Sequence, residues 1–242
     1  MNKHNKCISY YTDIGGRKEN EDNGGYLLRG DALSAVIADG LGGQGDGQAA
    51  SEAVSTYLVN CRPEDMLLGE DRVIEAFDLA NQTLMKLQKN KTHMKTTAVY
   101  LGLHKNRAVW AHVGDSRLYH LYNGKLCDYT LDHSLSQIAV SMGEIERSEI
   151  GRHPDQNKLY RVLGNENTKP TVHGPLELEK GRHCFLICTD GLWENLTDEE
   201  IEEKLTKCRD PEQWLDDLRK NMSRTPVKEQ DNNTAITVFW EV

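Results

Sequence analysis

The chain has 242 residues, with 29 Lys plus Arg against 38 Asp plus Glu, a net charge of -9, 38% hydrophobic and 28% charged residues. That length can bury a core unaided, and the balance excludes disordered, collagen-like and membrane-embedded classes. Excess acid repels phosphate backbones and anionic lipid, so neither nucleic acid nor a membrane is an expected partner.

In chain order, short runs rich in β-branched and aromatic residues that end at turn residues predict strands at CISYYT, GYLL, ALSAVIA, TTAVYLGL, RAVWAHV, SRLYHLY, KLCDY, HCFLICT and AITVFW. Asn123-Gly124 between SRLYHLY and KLCDY is a strong hairpin signal. Two amphipathic helices follow the third strand: Ala49, Ala50, Ala53, Val54, Tyr57 and Leu58 recur at helical spacing, as do Val73, Phe77, Ala80, Leu84 and Leu87. Thr197-Asp198-Glu199-Glu200 reads as a capping box, and Pro211 opens a further helix. Paired helices between groups of strands suit parallel crossovers poorly, so the expected fold is α+β, with largely antiparallel sheets covered by helices. The stretch from His133 to Gly174 is polar with few apolar anchors and predicts an excursion outside the core.

No apolar run is long enough to span a bilayer, and the start MNKHNKC lacks a secretory apolar stretch, which points to the cytoplasm. Cys7, Cys61, Cys127, Cys184, Cys188 and Cys208 form no CxxC pair and are expected as buried reduced thiols.

Carboxylates recur beside glycine at strand ends: Asp39-Gly40, Gly114-Asp115 and Asp190-Gly191, with Asp231 just before the last strand. One such pair is ordinary turn chemistry; the repetition points to acids gathered at one rim. Carboxylates about 4 Å apart repel by roughly 4 kcal/mol at an effective dielectric near 20, so a converged set requires cations. Oxygen ligands without His or Cys at zinc spacing select Mg²⁺ or Mn²⁺. Two such ions can lower the pKa of a water and neutralise a phosphoryl group under in-line attack, which is phosphate ester hydrolysis. The segment DIGGRKENED adds Arg17, a planar cation able to fork phosphate oxygens, and Glu21-Asp22, able to orient waters around the ions.

Together, GRKENED, VIADGLGG with GQAAS, KTTAVYL, HVGDSRLYHL, LDHSLSQ, HPDQNKLYRVLG, CTDGLW and DNNTAITV, in this order, resemble the metal-dependent Ser/Thr protein phosphatases of type 2C, the PPM family, in their compact bacterial form. The resemblance implies one catalytic domain over residues 1–242, a four-layer α-β-β-α sandwich of two mainly antiparallel sheets, and a flap at about 134–174. It implies that Asp39 bridges two Mn²⁺ or Mg²⁺ ions, that Gly40 ligates through its carbonyl, and that Asp190 and Asp231 complete the set. Glu21 and Asp22 would hold coordinated waters, Arg17 the substrate phosphate, and Asp115 with Asp190 a third, weaker ion. Implied partners are phosphorylated Ser/Thr proteins and an opposing Ser/Thr kinase, and family members are commonly monomeric.

The chain departs from the wider pattern at three positions. Leu41 replaces a His thought to protonate the leaving group in eukaryotic members, Lys95 stands where a Gly usually precedes the two threonines, and Glu194 stands where an Asp often follows the Asp-Gly motif. His133 and His153 are proton-donor candidates by residue type alone. Gly40-Leu41-Gly42-Gly43-Gln44-Gly45 formally satisfies a dinucleotide-binding turn, but Asp39 would sit beside a pyrophosphate, and no Gly-Lys-Ser/Thr follows for a nucleotide loop. No cysteine begins a Cys-x5-Arg loop. A catalytically inactive, phosphoprotein-binding relative would typically lack metal-binding acids, whereas Asp39, Asp190 and Asp231 are all present.

Overall fold

A computed structural model describes residues 7–42, 46–88 and 93–242. Among these residues, eleven strands lie in two antiparallel sheets. The first sheet has the order β1-β11-β10-β7-β8, built from β1 (Ile8–Asp13), β7 (Arg117–Tyr122), β8 (Lys125–Tyr129), β10 (Arg182–Cys188) and β11 (Asn233–Glu241). The second has the order β2-β3-β5-β6-β9, built from β2 (Asp22–Arg29), β3 (Ala32–Leu41), β5 (Ala98–His104), β6 (Arg107–Val113) and β9 (Thr171–Glu177), with β4 (Lys95–Thr96) pairing with the end of β3.

The period of two along each strand sorts side chains into three cores. Leu33, Ala35 and Ile37 of β3 meet Phe185 and Ile187 of β10 and Ile236 and Val238 of β11 between the sheets. Alternate residues face outward. Val36 and Tyr100 pack under α1 (Asp46–Val59) and α3 (Glu70–Gln88), while Cys184, Leu186 and Ala235 pack under α6 (Asp198–Thr206) and α7 (Pro211–Arg219). Strands buried on both faces read as continuous apolar runs, which is why the sequence marks them so clearly. The result is the expected α-β-β-α layering.

Local chemistry places the element ends. Asn123 and Gly124 both have positive φ, 48° and 83°, as a tight hairpin between Tyr122 and Lys125 requires. Thr197 accepts from the Glu200 N–H at 3.2 Å and donates its own backbone N–H to the Glu200 carboxylate at 3.0 Å, the reciprocal cap the sequence predicts. Asp210 caps the helix that Pro211 opens.

The structure differs from expectation in four places. The excursion after His133 ends earlier than Gly174, because Thr171–Glu177 joins the edge of the second sheet as β9. Its proline and mixed polarity hide it, and an edge strand tolerates both. The excursion is also anchored: Ile150 belongs to the core under α6, and Leu163 to the core under α1. Leu87, in the last turn of α3, is exposed and not in the core. Of the six cysteines only Cys184, Cys188 and Cys208 are buried, and Cys127 is exposed.

Candidate metal centre and phosphate cleft

The strand ends that carry acids meet at one rim of the sandwich. Asp22 opens β2 and is the register partner of Asp39 near the end of β3. From the other sheet, β10 ends at Cys188, Thr189 follows, and Asp190 begins α5 (Asp190–Trp193); Asp231 immediately precedes Asn232 and β11. Asp115 lies in the link between β6 and β7.

Glycine permits the close approaches here. A Cβ on Gly40 would stand 2.1 Å from the Gly47 carbonyl oxygen, and one on Gly191 would stand 2.1 Å from the Asn232 carbonyl oxygen. No other residue fits either position without moving backbone. The Asp39 backbone is fixed by both threonines of the KTTAVYL motif: Thr96 Oγ1 donates to its carbonyl at 2.7 Å, and its N–H donates to Thr97 Oγ1 at 2.9 Å.

Asp22 joins the sheets. Its Oδ2 accepts from Thr189 Oγ1 at 2.9 Å, while its Oδ1 is buried without a partner. Burial pushes the Asp22 carboxyl up to about 7, with the Asp190 and Asp231 charges adding to the rise. The Asp190 carboxyl is pushed up to about 6 by burial and then by Asp231. Asp39 and Asp115 rise well above the usual carboxylate range, first through burial and then through Asp190. Glu194 is pushed up to about 8 by loss of solvent around it, followed by Asp190 and Asp231, so this departure from the motif faces the same cluster.

These acids are mutually disfavoured as anions, and one buried carboxylate oxygen lacks a partner. That is the electrostatic setting a hard divalent cation relieves, and the all-oxygen donor set matches Mg²⁺ or Mn²⁺ chemistry. Among the described residues no three acidic, His or Cys side chains already stand in ion-cage geometry. Asp231 instead pairs with Arg17, whose Nη2 donates to Asp231 Oδ2 at 2.5 Å.

Arg17 lines a cleft of about 320 Å³ with Lys18, Glu19, Glu21, Asp231 and Asn232. Its side chain is 59% exposed and so free to meet a ligand. Asn232, which sequence reasoning passed over, holds the loop that carries it. Its Oδ1 accepts from the Glu21 N–H at 2.9 Å, and its Nδ2 donates to the carbonyls of Ile14 at 2.9 Å and Glu19 at 3.0 Å. The polar DNNT run ahead of an apolar strand was the available signal.

Both histidine candidates hold local hydrogen bonds. His133 is buried, its Nδ1 accepts from the Gly114 N–H at 3.1 Å, and its Nε2 lies 2.9 Å from Thr171 Oγ1. Burial, then His112 and Arg161, pulls its pKa down to about 2, so the ring is neutral. His153 Nδ1 accepts from the Asp155 N–H within its own turn. Gly43–Gly45 of the dinucleotide-type turn lie outside the described residues.

A comparison with protein-family models finds no match. The serine/threonine phosphatase Stp of Listeria welshimeri is 33% identical over 208 residues, covering 80% of this chain and 80% of that protein. Protein phosphatase PhpP of Streptococcus pneumoniae is 28% identical over 207 residues, 82% of this chain and 84% of its own. Among solved structures, the Mycobacterium tuberculosis phosphatase PstP/Ppp superposes with a TM-score of 0.82 at 28% identity, over 97% of this chain and 98% of that one. A PstP catalytic domain in complex with two manganese ions has the same fold, with a TM-score of 0.78 at 24% identity over 97% and 98% of the two chains. By the ordered motifs, the two-sheet sandwich and these likenesses, the chain belongs to the PPM family of Ser/Thr protein phosphatases, hydrolases of phosphoric monoesters.

Proposed function

We propose that this phosphatase works through two divalent ions held by Asp39, the Gly40 carbonyl, Asp190 and Asp231, with Glu21 and Asp22 orienting water around them and Arg17 gripping the substrate phosphate. A third, weaker ion would lie between Asp115 and Asp190. When bound, the ions lower the pKa of water and neutralise charge on the phosphoryl group. The observation that carries this reading is the convergence of carboxylates from separate segments of both sheets, each disfavoured as an anion by burial and by its neighbours. The two manganese ions in the PstP structure support it.

The chain's own residues supply the rest. Arg17 presents a planar fork at the cleft, suited to two phosphate oxygens at once. The Asp22 side chain is tied to Thr189, and from that position it would fix water by hydrogen bonds. With Leu41 in place of a histidine and His133 neutral, the leaving serine or threonine oxygen takes its proton from water. Substrates are phosphoproteins, and we place the enzyme in the cytoplasm opposite a Ser/Thr kinase.

The test is turnover of a phosphothreonine peptide and of p-nitrophenyl phosphate against Mn²⁺ and Mg²⁺ after chelation, with calorimetric ion binding alongside. Activity restored by Mn²⁺, with at least two ions bound, is the expected result. Full turnover in excess chelator, or no ion uptake, overturns the metal centre.

A further inference from the structure

Asp115 and Asp190 come from different links, and the Asp190 charge bears on the buried Asp115 carboxyl. Like charges so placed move apart unless their backbones are held. Trp193 holds them. Its indole Nε1–H donates to the Asp115 carbonyl at 3.0 Å, while the residue itself closes the helical turn that Asp190 opens. Beneath the indole lies Arg117, its guanidinium carbon 3.4 Å from the ring centroid. Arg117 follows Asp115 by two residues and forks onto Asp132, with Nε to Oδ1 at 2.8 Å and Nη2 to Oδ2 at 2.7 Å; its Nη1 donates to Tyr119 Oη at 3.1 Å.

The Arg117 and Asp132 side chains are only 6% and 1% exposed. Desolvating two charges offsets most of their attraction, so such a pair is weak support for stability, and what it supplies is a fixed geometry. A rigid guanidinium plane is also the surface on which an indole stacks in one orientation. Asp132 stands at the root of the excursion. The next residue, His133, exchanges hydrogen bonds with Gly114, and Ser134 caps α4 (Leu135–Ser141). One continuous set of contacts therefore runs from the excursion root through Asp132, Arg117 and Trp193 to both acids.

We infer that the Arg117–Asp132 fork and Trp193 form a positioning relay that fixes the separation of Asp115 and Asp190, and so sets the affinity for the divalent ion taken between them. The inference rests on the metal centre proposed above. It gives the relay no contact with substrate: Trp193 and Arg117 act through the two acids.

Calorimetric Mn²⁺ titration of chelator-stripped wild type, Trp193→Phe and Arg117→Lys tests it, with thermal melts of the metal-free proteins and the Mn²⁺ dependence of turnover. Phenylalanine keeps a ring over Arg117 but removes the N–H donor; lysine keeps the charge but removes the fork and the plane. The expected result is a loss of roughly 10–100-fold in affinity, the range for residues supporting metal ligands, at the weakest ion. The two tighter ions share Asp190 but also rest on Asp39, the Gly40 carbonyl and Asp231, so their loss should be clearly smaller. Half-maximal turnover should need correspondingly more Mn²⁺, while KM at saturating Mn²⁺ and the metal-free melting temperature of Trp193→Phe stay near wild type. Isotherms of both variants that superpose on wild type overturn the relay while leaving the centre standing. Equal loss at every ion together with a lowered metal-free melting temperature overturns it in favour of a purely structural role. A wild type that binds only two ions removes the third site and overturns the relay with it, whereas one that binds none overturns the reading of the centre itself.

Discussion

Asp22 and Asp39 face each other as register partners across the β2–β3 ladder, so two carboxylates are built side by side into adjacent strands. Directly opposed residues have Cβ atoms roughly 4.5–5.5 Å apart, close enough for their charges to oppose folding. Thr189, from the other sheet, ties Asp22 in place at 2.9 Å and leaves Asp39 as the member that feels Asp190, Asp22, Asp115 and Asp231 together. Replacing Asp39 by Asn should therefore separate function from stability. Mn²⁺-dependent turnover should be abolished, while the chelator-treated protein should melt higher, because one repelling charge is gone. Relief of about 1–4 kcal/mol for a pair roughly 4 Å apart corresponds to about 2–4 °C per kcal/mol in a chain of this size. Melting curves in excess chelator and a p-nitrophenyl phosphate assay check both halves; a lower metal-free melting temperature would count against the electrostatic account.

Arg17 is oriented at the cleft by Asp231. Their side chains are 59% and 39% exposed, so the pair contributes little to stability, about 0–1 kcal/mol. Arg17→Ala should leave the melting temperature nearly unchanged. A hydrogen bond to a charged group is worth about 1.5–3 kcal/mol, so KM and the inhibition constant for inorganic phosphate should both rise by roughly 10–100-fold. An unchanged phosphate inhibition constant would remove Arg17 from the substrate site.

What the sequence disclosed and what it hid follow from the range of the interactions involved. Asn123-Gly124, the Thr197 cap and the apolar runs of β3, β10 and β11 are set by neighbours a few residues away, so they were legible. The acids were legible as a repeated type, since Asp39, Asp115 and Asp190 each adjoin a glycine at the end of an apolar strand. Their supports were not. Asn232 reaches back to Ile14, Glu19 and Glu21, Thr189 reaches Asp22, and Trp193 reaches Asp115, each across a separation that only the closed sandwich creates. β9 escaped for a different reason: an edge strand with a proline and no alternating apolar pattern carries no signal of its own.

Gly191 offers a sharp packing test. Alanine there would place its Cβ 2.1 Å from the Asn232 carbonyl oxygen, so backbone between Asp190 and Asp231 has to shift. Overpacking of this kind costs about 1–3 kcal/mol, or about 2–4 °C of melting temperature per kcal/mol. Because the contact lies between two of the acids, Gly191→Ala should also weaken Mn²⁺ binding measured by calorimetry. Wild-type stability together with wild-type ion affinity would show that the approach is looser than 2.1 Å implies.

Two buried histidines give the fold a defined acid limit. His112 and His120 are each pulled down to about 4, chiefly by burial, with further contributions from His173 at His112 and from His183 at His120. The His120 ring stacks on Phe185 at 4.5 Å, with its Nε2 2.9 Å from His183 Nδ1. In the unfolded chain a histidine takes its proton near pH 6.5, whereas in the folded chain these two do so only near pH 4. The unfolded state therefore binds more protons between those values. Their contribution to stability is complete above about pH 6.5 and falls as pH drops toward 4, on the order of 1–3 kcal/mol for each ring. The raised carboxyls of the acid cluster act in the opposite sense over the same window in the metal-free protein, so the histidine part is read from urea denaturation between pH 7.5 and 4.5 as the difference between wild type and His120→Gln. His120→Gln should be less stable than wild type at pH 7.5, having lost the stacked ring, and that deficit should shrink on acidification. A variant slope as steep as that of wild type would mean that His120 is not one of the groups taking up the proton.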